Sequence, residues 1–122
     1  MLIDLLTDRS IDDAHGLFAQ DTRFRSPFAD YRGREDVVHL VGHIRRVLAD
    51  ARTVRRLGDA DTTISVFEAR VGEHEVQGVL VEERDPAGRL ADTMLTVRPY
   101  AGLRAAMGAM QTLLDESPLP SA

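Results

Sequence analysis

The chain has 122 residues and a formal net charge of −5, long enough for one domain with a real core and no metal or disulfide staple. It has no cysteine, lysine or asparagine, which excludes disulfides, thiolate ligands, cysteine nucleophiles, Schiff-base lysines, a P-loop lysine and N-glycosylation. Net acidity argues against nucleic acid as the main partner, because phosphate neutralisation dominates that affinity.

Taken in chain order, "MLIDLLTD" is acidic and short, unlike a signal peptide, and no apolar run approaches transmembrane length. The expectation is a soluble, cytoplasmic protein with no membrane partner. Arginine in place of lysine throughout points to a GC-rich bacterial genome. "SIDDAHGLFAQ" predicts a helix N-capped by Ser10, with Asp13 at the capping-box position, Asp12 complementing the dipole, and Leu17 and Phe18 on its apolar side. Residues 2–9 add a helical turn before it. "TRFRSP" reads as a short strand ended by Pro27, followed by a loop through Tyr31 to Gly33.

"REDVVHLVGHIRRVLAD" is the clearest helix, with Val37, Leu40, Val41, Ile44, Val47 and Leu48 on one stripe and Asp36, His39, His43 and Arg46 along a flank. Gly42 costs this helix about 1 kcal/mol relative to alanine, which predicts a close backbone approach there. Arg45, Arg46, Arg52, Arg55 and Arg56 cluster at its end and read as a solvated face rather than an anion site.

Strands are predicted over 62–71, 75–84 and 89–98, with a further one at 52–57. Gly72-Glu73 makes one hairpin turn and "DPAG" the next. Pairing Val71 with His74 sets Phe67 against Gly78, and pairing Glu83 with Leu90 sets Leu80 against Thr93 and Gly78 against Leu95. One face then carries Ser65, Phe67, Ala69, Val76, Gly78, Leu80, Thr93, Leu95 and Val97, and must meet the helices. The other carries Val66, Val79, Val81, Met94 and a cross-strand row of Arg70, Glu75 and Arg98. That mixed face suits a subunit contact, so a homodimer through the sheet is expected. "YAGLRAAMGAMQTLLDE" closes the chain as a helix, and residues 116–122 are expected to be a frayed tail. The fold class is α+β, a single domain over 1–122 with helices on one face of the sheet.

The stretches "LFAQDTRFRSPFADYRGREDVVHLV" and "VFEARVGEHEVQGVLVEERDPAGRLADTMLTVRP", with the terminal helix, resemble the SnoaL-like branch of the nuclear transport factor 2-like superfamily along nearly the whole chain. The resemblance implies a cone, a curved and mostly antiparallel sheet wrapped around helices, with a cavity at the wide end and frequent dimers. Polyketide cyclases and limonene-epoxide-hydrolase-type members carry an acid in the last strand, and aligned on "GRLADTML" that acid falls near Leu95. Leucine can neither shuttle a proton nor activate water. The Arg-x-Asp pair of the epoxide hydrolases is answered here by Glu68 and Arg70, in opposite charge order and on the face away from the helices.

His39 and His43 share a helix face, but with only Asp36 near and no HExxH glutamate no metal site is expected. No cofactor motif is visible. Three functions follow. The first is an apolar small-molecule binder lined by Phe67, Leu80, Thr93 and Leu95, with Tyr31 and His43 as polar handles. The second is an isomerase, cyclase or hydrolase on a polycyclic or terpenoid-like substrate, with His43 as base and Tyr31 as donor. The third is a structural or partner-binding dimer whose cone is filled by side chains.

Overall fold

The computed structural model describes residues 2–8 and 14–122. Ser10, Asp12 and Asp13, the expected cap of the first long helix, lie outside the described residues. Helix α1 spans Leu2–Thr7, and His15–Leu17 form one 3-10 turn. The expected helix does not continue through Phe18: strand β1 (Phe18–Arg25) starts there, because Phe18 pairs with Leu90 and buries its ring completely. Strand β2 (Asp30–Arg32) replaces the expected loop around Tyr31 and pairs antiparallel with β1. Helix α2 (Arg34–Val47) precedes strands β3 (Ala49–Gly58), β4 (Thr62–Val71), β5 (His74–Arg84) and β6 (Leu90–Arg98), and helix α3 (Tyr100–Glu116) follows them.

The six strands form one curved, mixed sheet in the order β2-β1-β6-β5-β4-β3. Every pairing is antiparallel except β1 with β6, which is parallel. The sheet has two free edges and is not closed into a barrel. Helix α2 docks through Val37, Leu40, Val41, Ile44 and Val47, all buried. At about 1.5–3 kcal/mol for each such side chain, burial outweighs the poor propensity of a helix rich in valine. Gly42 is not a close approach, since it is exposed and a Cβ there would meet nothing. The close approach lies on α3, where a Cβ at Gly102 would run into Val76 of β5.

The β4–β5 hairpin has the expected register, from Val71 opposite His74 to Phe67 opposite Gly78. Gly72 takes φ 59, the positive value that a type II′ turn requires at its first central position. The next hairpin differs by two residues: Leu80 faces Leu95 and Glu82 faces Thr93. An irregularity between Glu83 and Arg84 takes up one of the two residues beside the turn, where Asp85 Oδ1 accepts the amides of Ala87 and Arg89. A two-residue shift keeps side chains on their faces, so Phe67, Leu80, Thr93 and Leu95 point inward as expected. It does break the expected charge row. Arg70 still faces Glu75, but Arg98 faces Gln77 and donates to its Oε1.

Residues 117–122, expected to be frayed, run back along α2. The amide of Ser121 donates to Asp36 Oδ1 at 3.0 Å, and Leu119 packs against the core. The arginine cluster is largely committed within the chain: Arg56 pairs with Asp4, Arg52 with Glu68, and Arg45 donates to the Asp8 carbonyl.

Candidate functional site

A family-type site would lie between the helices and the inward face of the sheet. The cavity there has a volume of about 20 Å³, and Pro27, Phe28, Ile44, Leu48, Leu95 and Met110 are among the residues lining it. That is room for about one water molecule, and among the described residues no charged or hydrogen-bonding side chain lines it. Strand β6 and helix α2 supply opposite walls, and α3 closes the third side through Ala106 and Met110. Leu95, near which the resemblance places the family acid, is part of the wall.

Of the six residues singled out in the sequence, only Leu95 lines this cavity. Phe67, Leu80 and Thr93 are wholly buried in the core behind it. The Phe67 ring lies across Gly78, filling the space that a β-carbon there would need. Tyr31 sits on β2, opposite Phe24. Burial raises the pKa of its phenol, while a hydrogen bond with Ser26 works the other way.

His43 is buried, and its Nε2 lies 3.0 Å from the Ser117 carbonyl oxygen. His39 Nε2 reaches the same oxygen at 2.8 Å, and the two rings meet edge-on with centroids 4.7 Å apart. A carbonyl only accepts, so both nitrogens carry their protons in this arrangement. Neither Nε2 then has a lone pair for a metal or a substrate proton. The pair fastens the end of α3 to α2. Among the described residues no group of three His, Asp or Glu could hold a metal ion.

Asp92 pairs with Arg23 and Arg25 of the parallel strand β1. Arg23 Nη2 approaches Asp92 Oδ2 at 2.5 Å.

Among the described residues the buried carboxylate is Glu82, for which the sequence suggested no role. It has no solvent exposure, and it accepts the amides of Leu2 (3.0 Å) and Ile3 (3.2 Å) at the start of α1. Burial raises its pKa, and the two amides oppose that shift. Strand parity was the available signal: Val76, Gly78, Leu80 and Glu82 all share the inward face.

No protein-family model matches the chain, and no curated protein matches it. Solved structures do. A steroid delta-isomerase from Pseudomonas aeruginosa is 31% identical with a TM-score of 0.82, covering 94% of this chain and 85% of that one. An uncharacterized protein conserved in bacteria, with a cystatin-like fold, from Silicibacter pomeroyi is 27% identical with a TM-score of 0.85, covering 96% and 82%. A protein of the SnoaL-like family from Agrobacterium tumefaciens shares the fold at 14% identity, with a TM-score of 0.57 over 81% of this chain and 100% of that one.

Proposed function

The chain belongs to the SnoaL-like family of the nuclear transport factor 2-like superfamily, and from that premise we propose that it binds a small, mainly apolar molecule between α2, α3 and the inward face of the sheet. The observation that carries this reading is the lining of the interior cavity, apolar throughout among the described residues, with Leu95 in its wall. At about 20 Å³ the cavity admits such a ligand only when its walls move. Met110 is unbranched and flexible, and α3 buries only Gly102, Ala106 and Met110, so this is the wall that yields most readily.

The test is a titration followed by amide chemical shifts, using a monoterpene and a steroid ketone as probes. Shifts are expected to centre on Ile44, Leu95, Val97 and Met110, and Met110→Trp is expected to weaken binding about tenfold by filling the cavity. Shifts confined to the outer face, unaffected by that substitution, overturn the reading.

An isomerase, cyclase or hydrolase is the alternative, and the steroid delta-isomerase among the neighbours speaks for it. The seating of His43 Nε2 on the Ser117 carbonyl leaves only Nδ1 of that ring to act as its base. Loss of turnover in His43→Ala with the fold intact would support that role. A further reading is a homodimer through the outer sheet face with a filled interior. It is supported by the exposure of Val54, Leu57 and Ile64 and by outer grooves of about 320 and 490 Å³.

A further inference from the structure

The inward face carries polar groups that the apolar cavity does not use. Thr22, Ser65 and Thr93 are wholly buried, and their hydroxyl oxygens have no hydrogen-bond partner among the described residues. Buried hydroxyls are nearly always paired, and an unpaired one is a standing cost that needs a reason. The other polar groups beside them are engaged: Glu82 holds the amides of Leu2 and Ile3, and the Thr63 hydroxyl takes a hydrogen bond from Arg84.

The register gives their positions. Thr93 lies opposite Glu82, two residues before Leu95 and so the next inward-facing residue behind the cavity wall. Phe24 pairs with Thr93 across the parallel strands, which puts Thr22 diagonally beside it. Diagonal neighbours on one face stand about 7–8 Å apart, close enough for one ligand oxygen to lie between their hydroxyls. Ser65, opposite Leu80, is separated from both by strand β5.

We propose that Thr93 and Thr22 are the polar end of the ligand site and hold the carbonyl or hydroxyl oxygen of a neutral, otherwise apolar molecule whose body lies against Leu95, Ile44 and Met110. This rests on the reading of the interior as a ligand site. A hydroxyl can donate to a carbonyl or accept from an alcohol, so both classes fit. A charged head group does not. An anion would meet Glu82, and a cation would have to draw Glu82 away from the α1 amides. Phe24 lies opposite Thr93 and Leu80 diagonally from it, with Phe67 diagonal to Leu80 in turn, and all three are wholly buried.

The experiment titrates the wild type and Phe67→Ala, which opens room behind the cavity, with cyclohexanone and with methylenecyclohexane, the same ring with carbon in place of oxygen. Thr93→Val is then made in both, with Ser65→Ala as the comparison. The expected result is that Thr93→Val lowers ketone affinity about tenfold and leaves hydrocarbon affinity unchanged. Ser65→Ala is expected to change neither, while both substitutions raise Tm by removing an unpaired hydroxyl. Equal binding of the two probes, unaffected by Thr93→Val, overturns the polar end and leaves the apolar site standing. Failure of both probes to bind either wild type or Phe67→Ala overturns the ligand site itself.

Discussion

Glu82 costs stability in a pH-dependent way whose sign follows from its burial. Desolvation raises its pKa above the ordinary value of 4.5, so the folded chain binds that proton more tightly than the unfolded chain. Its contribution is most favourable below about pH 4.5 and is lost as pH rises through the raised value. Asp59, lowered by the amides of Thr62 and Asp61, works in the opposite direction but is common to any pair of variants that keep it. Wild type is therefore expected to gain stability relative to Glu82→Gln as pH falls from neutral to about 4. Urea midpoints for the two proteins across that range check it, and parallel curves would contradict it. This residue was legible in principle, since period two places it inward with Leu80. Its partners were not, because they lie some 80 positions away on α1.

At the scale of elements, the Phe67–Gly78 pair joins strands β4 and β5. A β-carbon at Gly78 would run into the Phe67 ring, which is wholly buried. Alanine normally gains about 0.5–1 kcal/mol over glycine in an extended strand, but overpacking of a full core costs about 1–3 kcal/mol. Overpacking wins, so Gly78→Ala is expected to destabilise, and Phe67→Leu added to it is expected to recover part of the loss by shortening the ring. Denaturant unfolding of the single and double variants measures both. This pair was legible in the sequence because the Gly72 turn sets the register of its hairpin. The register across the Asp85 turn was not, since an irregular pairing shifts that ladder by two residues without changing faces. Nor was the strand at Phe18, where helical spacing gives way to the pull of Leu90 across the sheet.

The whole molecule presents an outer sheet face that its own helices do not cover. Val54 and Leu57 are each 58% exposed and Ile64 is 38% exposed. Around them lie Arg52 with Glu68 and Arg98 with Gln77, an apolar centre with a polar rim. If two copies meet there, Leu57→Glu with Ile64→Glu places charges at the centre of the contact. The expected outcome is a shift from dimer to monomer in sedimentation equilibrium with an unchanged far-ultraviolet spectrum. A mass independent of these substitutions would remove this face as the interface. No helix of the described chain is long and apolar enough to cross a membrane.

Sequence by itself determined the α+β class, the α2 stripe, the β4–β5 register and which side chains of three strands turn inward. All of these follow from local periodicity and turn chemistry, which a short stretch of chain carries within itself. Only the tertiary structure decided that β1 runs parallel to β6, that α1 seats on Glu82, that Ser117 joins His39 and His43, and that a cavity of about 20 Å³ remains beside Leu95. These depend on how side chains distant in sequence share one volume, and no local pattern encodes how much of that volume they fill.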